Sequence, residues 1–239
     1  MNKDIVVLIP VYNPNEKIMD TFLKELTKNF ENIVFINDGC SKKHDKYMNN
    51  LAKKYPMIKH CKNLGKGRGL KNGINYIINN YPKAKVIVTA DCDGQHSVSD
   101  IKKCAEVAKK NLDFLILGVR DFSDKLVPRR SKFGNCITRN VLYAFVGPKI
   151  SDTQTGLRAM SLEIALKLID VSGERYEYET NVLIETKDAR IMHVKGRGTS
   201  ISESLYELVK VVPSIKHTLK VALFVLEHEK QAKATDEAN

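Results

Sequence analysis

Between residues 4 and 117, five short β-branched or aliphatic runs alternate with four helical patterns. Residues 4–9 (DIVVLI) stop at Pro10, 32–36 stop at Asn37-Asp38-Gly39, and 86–89 stop at Asp91-Cys92-Asp93-Gly94; shorter runs fall at 57–61 and 113–117. Antiparallel neighbours need only a tight turn, whereas parallel neighbours need a crossover of about a dozen residues. Strand and helix alternating at this spacing therefore predict βαβ units, an α/β chain with a mostly parallel central sheet flanked by helices. The first helical pattern, 15–30, sets Ile18, Met19, Phe22, Leu23 and Leu26 on one face and opens at Asn15 as N-cap. Helices at 44–54, at 70–80 and opening at Ser97/Ser99 complete the series, with a Gly-rich turn expected at 64–69.

The second half is less regular. It holds a basic helix-like stretch (128–145), the segment DTQTGLRAMS (152–161), a helix at 162–169, a Tyr/Glu-rich element, a strand near 190–194 and amphipathic helix either side of Pro213. The organisation expected is one domain over 1–200, an amphipathic helical segment over 201–230 and a polar tail over 231–239. With 43% apolar residues in 239, the chain is neither disordered nor a stapled mini-protein. The longest aliphatic or aromatic run near the C-terminus is 221–226, far short of the roughly 20 residues of a membrane span. No signal peptide is read at the N-terminus. Five scattered cysteines without a CxxC pair suit a reducing cytoplasm and argue against zinc or a disulfide framework.

Charge narrows the partners. The formal net charge is +11, and residues 53–90 hold nine Lys/Arg and no acid. Residues 120–139 add six basic residues against two acidic ones. Such runs are a solvated face or a surface for anions: phosphorylated substrates, anionic membrane or nucleic acid. No zinc-finger, RRM or KH pattern accompanies them, so nucleic acid is set aside.

Ligands of open α/β sheets bind beyond the carboxyl ends of the strands, and here those ends carry unusual chemistry. Pro10-Val11-Tyr12-Asn13 follows the first run, Asp38-Gly39 the second, and Asp91-Cys92-Asp93-Gly94-Gln95-His96 the fourth. Two carboxylates two residues apart repel each other unless a cation lies between them. Hard oxygen ligands hold Mg²⁺ or Mn²⁺ while a diphosphate fills the remaining positions. Gly65-Lys66-Gly67-Arg68-Gly69 is not GxxxxGK[ST] and follows the third strand, so it is neither a P-loop nor a dinucleotide fingerprint. What remains is a turn leading into a helix N-terminus, with Lys66 and Arg68 beside it, either able to face an anion or simply a turn.

Together these segments resemble glycosyltransferase family 2, with its GT-A fold. IPVYNP (9–14), INDGCS (36–41), NLGKGRGLKNG (63–73) and TADCDGQH (89–96) look like the family's successive motifs. LGVRDF (117–122), PRRSKFGN (128–135), DTQTGLR (152–158) and GERYEYE (173–179) are similar to its polyprenyl-phosphate branch, the dolichyl-phosphate mannosyltransferase-like enzymes. The eight motifs run in order across about residues 4–186.

The resemblance implies an inverting transfer of a sugar from a nucleotide-diphospho-sugar. Pro10, Val11 and Tyr12 would lie against the base and Asp38 would contact the nucleoside. Asp91, Asp93 and Gln95 would hold Mg²⁺ or Mn²⁺ and the diphosphate. Lys66, Arg68 and Arg158 would supply fixed positive charge, and Gln154 with Arg158 would close over the site. A lipid-phosphate acceptor is already ionised and needs Arg120, Arg129 and Arg130 to hold it. A hydroxyl of a saccharide, wall polymer or protein needs a base, Glu177 or Glu179. UDP, dTDP and GDP donors stay open, because uracil, thymine and guanine all offer Asp38 a ring N–H. The location implied is cytoplasmic, peripheral on the inner membrane face, with a homodimer as another use of the amphipathic segment. A non-catalytic nucleotide-sugar-binding scaffold is the reading from outside the enzymes. Past Ile191 the chain reads MHVKGRGTSISESLYELVK and leaves the branch's pattern.

Overall fold

The computed structural model describes residues 2–94, 96–119, 155–186 and 190–195. Seven strands form one sheet: β1 (Asn2–Val11), β2 (Phe30–Asn37), β3 (Met57–Lys59), β4 (Val86–Thr89), β5 (Phe114–Val119), β6 (Arg158–Ser161) and β7 (Arg190–Lys195). Their order is β3-β2-β1-β4-β6-β5-β7. All neighbours are parallel except β6, which runs antiparallel to both β4 and β5. Among the described residues, six α-helices accompany them: α1 (Glu16–Leu26), α2 (Asp45–Ala52), α3 (Lys66–Asn80), α4 (Val98–Lys110), α5 (Leu162–Leu168) and α6 (Glu177–Glu185).

β1 shows why its stretch 5–9 is apolar without a break. Side chains alternate between the faces of a strand, and a sheet covered on both sides buries both sets. Ile5, Val7 and Ile9 pack with Met19, Phe22, Leu26, Ile101 and Cys104 on one face. Val6 and Leu8 pack with Leu70, Ile74, Ile77, Ile164 and Leu168 on the other. Each fully buried aliphatic side chain stabilises the fold by about 1.5–3 kcal/mol relative to exposure. Asn15 caps α1 by accepting from the Ile18 N–H at 3.3 Å, and Ser97 caps α4 by accepting from Asp100 at 3.1 Å.

One expectation changes, and one segment gains a role. The Gly-rich turn over 64–69 is mostly helix, because α3 already begins at Lys66. Gly67 and Gly69 sit in its first turns because Cβ atoms there would lie 2.6 Å from Tyr178 Cβ and 3.3 Å from Ile36 Cγ2. The segment 152–161 supplies β6, the strand that joins the two halves of the sheet. The amphipathic segment 201–230 and the basic stretch 128–145 lie outside the described residues. Among the described residues, no helix is long and apolar enough to cross a membrane.

The sheet order reverses at β1, which pairs with β2 on one side and β4 on the other. The crevice beyond the carboxyl ends of β1 and β4 is the topological switch point where α/β sheets bind ligands.

Candidate active site

The loops leaving β1, β2 and β3 are knitted together. Val11 O accepts from the Asp38 N–H at 2.9 Å, and Asn37 O accepts from the His60 N–H at 2.9 Å. Asn13, the one non-glycine at positive φ among the described residues (48°), accepts from the Ser41 N–H at 2.8 Å. Asn37 Oδ1 accepts from the Cys40 N–H at 2.9 Å. Pro10 and Val11 end β1, and Tyr12 stands out beyond them, 53% exposed.

Asp38 is only 4% exposed and carries a dense set of donors. Its Oδ1 accepts from His60 Nδ1 at 2.7 Å and from the Leu64 N–H at 2.9 Å, and its Oδ2 accepts from the Gly65 N–H at 3.0 Å. Sequence reasoning gave His60 no role. Its one visible signal is its place at the end of a strand run, where the site residues of the other strands also fall.

Lys66, the first residue of α3, bridges two acids. Its Nζ lies 2.8 Å from Asp91 Oδ1 and 2.9 Å from Glu179 Oε1. Burial alone would lower the lysine's pKa; the charges of Asp91 and Glu179 outweigh it and raise it well above the usual range. Glu179 itself is 6% exposed, in the first turn of α6. Gly65 reaches this position with φ +105°, and a Cβ on it would lie 2.3 Å from Glu174 O. Arg68 N–H donates to that same carbonyl at 2.9 Å, which seats α3 on the 174–179 segment.

Among the described residues, the other expected positive charges, Arg68 and Arg158, are bound to neighbours. Arg68 pairs with Glu174 through Nε at 2.5 Å and Nη2 at 2.9 Å. Lys71 reaches Glu174 at 3.2 Å and lies over the Tyr178 ring at 5.3 Å. The acids that balance part of the basic run at 53–90 thus come from more than 100 residues downstream. Arg158, 4% exposed, donates to Thr155 O at 3.2 Å and Glu179 O at 2.8 Å. It ties the entrance of β6 to α6. Glu177 Oε1 accepts from the backbone N–H groups of Glu174 and Arg175, each at 3.3 Å, and so turns back onto its own loop.

Asp91 and Asp93 follow β4. Gly156 backs Asp91 so closely that a Cβ there would lie 2.2 Å from Oδ2. Gly156 is held in turn by Thr89 Oγ1, which donates to its carbonyl at 2.9 Å. His96 Nε2 stands 3.9 Å from Asp91 Oδ2. Burial, then the charges of Asp93 and Asp91, pushes the Cys92 thiol up to about 12. Among the described residues, no three His, Cys, Asp or Glu side chains cluster to hold a metal by themselves. Mg²⁺ accepts one or two protein carboxylates when phosphate oxygens and water complete its octahedron. The Asp91/Asp93 donor set, with the cradle that Gly156 leaves beside Asp91, fits a cation of that kind arriving with a diphosphate. Gln95, Arg120, Arg129, Arg130 and Gln154 lie outside the described residues.

A model of the family described as Glycosyl transferase family 2 matches residues 6–167. An uncharacterized protein of Methanocaldococcus jannaschii is 34% identical over 195 residues, covering 78% of this chain and 77% of its own. A UDP-N-acetylglucosamine–dolichyl-phosphate N-acetylglucosaminyltransferase of Methanococcus voltae is 28% identical, covering 80% and 82%. A dolichyl-phosphate beta-glucosyltransferase of Trichomonas vaginalis is 22% identical, covering 91% and 72%. Among solved structures, glucosyl-3-phosphoglycerate synthase from Mycobacterium tuberculosis, in complex with Mn²⁺, UDP-glucose and phosphoglyceric acid, superposes with a TM-score of 0.68. It shares 16% identity, with 92% of this chain and 79% of that chain covered. That likeness is one of fold.

Proposed function

The chain belongs to glycosyl transferase family 2 and is a glycosyltransferase of GT-A fold; from that premise we propose that it moves one sugar from a nucleotide-diphospho-sugar to a polyprenyl phosphate with the help of Mg²⁺ or Mn²⁺. The observation that carries the reading is that Asp38, after β2, holds the Gly65 N–H while the next residue, Lys66 at the start of α3, pairs with Asp91, after β4. The acceptor follows the activities of the Methanococcus voltae and Trichomonas vaginalis relatives, and the metal follows the Mn²⁺ of the mycobacterial complex.

In this reading Asp38 accepts the ring N–H of the base, and Tyr12 offers its exposed ring to the base's face. Asp91 and Asp93 would hold the cation, as the family resemblance also implies for Gln95, and that cation would supply Lewis-acid stabilisation of the departing diphosphate. Lys66 sits against Asp91, where a fixed positive charge opposes charge developing on the leaving group. Arg158 keeps the β6 entrance and α6 in place. Arg120 and Arg130 receive the acceptor phosphate, and Gln154 closes over the site. The segment 201–230 brings the enzyme to the membrane face, where its lipid acceptor resides.

A second reading has one observation in its favour. Glu179, ion-paired to Lys66, brings a carboxylate to this site, and a hydroxyl acceptor needs a carboxylate as general base. Incubation with radiolabelled UDP-sugars, Mn²⁺ and either polyprenyl phosphate or an oligosaccharide separates the two. Label in an acid-labile, organic-soluble product supports the lipid phosphate; label only in the oligosaccharide overturns it. Arg120→Ala and Arg130→Ala are expected to reduce lipid-phosphate use far more than donor hydrolysis.

A further inference from the structure

Resting on the reading of Asp38 as the nucleoside acid, we propose that His60 sets the base preference of the donor site, favouring uracil and thymine over guanine. A carboxylate offers about four acceptor positions, two on each oxygen. Oδ1 of Asp38 is filled twice, by His60 Nδ1 at 2.7 Å and by the Leu64 N–H at 2.9 Å. Oδ2 is filled once, by the Gly65 N–H at 3.0 Å. One position remains, on Oδ2.

Uracil and thymine present a single ring N–H and need one position. Guanine presents N1–H and an exocyclic N–H side by side, a pair that meets a carboxylate through both oxygens at once. With Oδ1 closed, one of those donors goes unmet on entering a site where Asp38 is almost fully buried. The expected discrimination is about ten- to a hundredfold in Kd.

The closing group is held in place from three sides. The carboxylate only accepts, so the hydrogen between the two side chains rests on His60 Nδ1. The other ring nitrogen, Nε2, is 3.0 Å from the Asn72 side-chain amide on α3. The His60 backbone N–H donates to Asn37 O, fixing the residue to the end of β2. His60 is thus a positioning residue: it acts on the base through Asp38.

The test is calorimetric titration of the full chain with UDP, dTDP and GDP in the presence of Mn²⁺. Wild type is expected to bind UDP and dTDP at least tenfold more tightly than GDP. His60→Asn, whose amide nitrogen reaches the place of Nδ1, is expected to keep that ratio. His60→Leu opens Oδ1 and is expected to bring the ratio within threefold. A folded His60→Leu protein with the full preference overturns the proposal. Should that variant fail to fold by circular dichroism, a wild-type ratio below threefold overturns it as well. Binding of no nucleotide at all would instead defeat the donor reading on which the proposal stands.

Discussion

Lys66 Nζ lies 2.8 Å from Asp91 Oδ1, so a lysine from the start of one helix is latched to the carboxylate that follows the central strand. The same ammonium holds Glu179 at 2.9 Å, and three elements distant in sequence close around one charge. Removing one partner of a buried ionic cluster leaves the others uncompensated, at a cost of about 3–5 kcal/mol. Lys66→Met is expected to lose about 3 kcal/mol in urea denaturation and at least a hundredfold in kcat. An unchanged urea midpoint would mean that the cluster contributes nothing net to the fold.

Gly156→Ala isolates the placement of Asp91 from the charges around it. The added Cβ would meet Asp91 Oδ2 at 2.2 Å, and the backbone has little room to retreat. Thr89 holds the Gly156 carbonyl, and the Gly118 N–H donates to Leu157 O at 2.9 Å. The side chain of Asp91 is therefore the part that moves. The variant is expected to fold with a near-native circular dichroism spectrum and to lose the rise in Tm that UDP and Mn²⁺ produce in wild type. A retained shift would mean that Asp91 does not need its present rotamer.

The parallel half of the sheet was legible because its signals are local. β1, β2 and β4 each carry a continuous apolar run (5–9, 33–36 and 86–88), the Asn15 and Ser97 caps announce their helices, and the strand ends carry the acids. β6 was not legible as a strand. Its four residues, Arg-Ala-Met-Ser, have no β-branched member, and they are strand only because β4 and β5 flank them. α6 lacked an amphipathic pattern because Tyr178 through Ile184 are all buried. In the site, the acids were named but their partners were not. Nothing in the spacing of Lys66 and Glu179, or of Arg68 and Glu174, says that they meet, and His60 became visible only once Asp38 had a place.

Glu177 and Glu179, equivalent in sequence, are expected to separate on substitution. Glu177 serves its own loop through two backbone N–H groups, a task that a glutamine oxygen also performs. Glu177→Gln is expected to retain more than half of wild-type turnover. Glu179→Gln loses the charge that pairs with Lys66 and is expected to fall at least tenfold. If that fall appears only with a hydroxyl acceptor and not with polyprenyl phosphate, Glu179 is a base; a fall with both makes it a holder of Lys66.

Alkaline conditions provide a test of the core that is independent of turnover. Cys104 on α4 is fully buried, and burial, then the charge of Asp100, pushes its thiol up to about 12. An unfolded thiol ionises near about 8.5. A group whose folded pKa is raised favours the folded state fully below the unfolded pKa. That contribution is lost as pH rises towards the folded value. Between pH 8 and 10.5 the unfolded chain gains a thiolate that the folded chain lacks, which costs about 2–3 kcal/mol for this residue. Cys104→Ala lowers stability at pH 8 through the cavity it leaves, by about 1 kcal/mol, yet its decline from pH 8 to 10.5 is expected to be shallower than wild type by those 2–3 kcal/mol. Parallel urea titrations of both proteins at the two pH values make the comparison. Equal declines would mean that Cys104 ionises as readily in the folded protein as in the unfolded one.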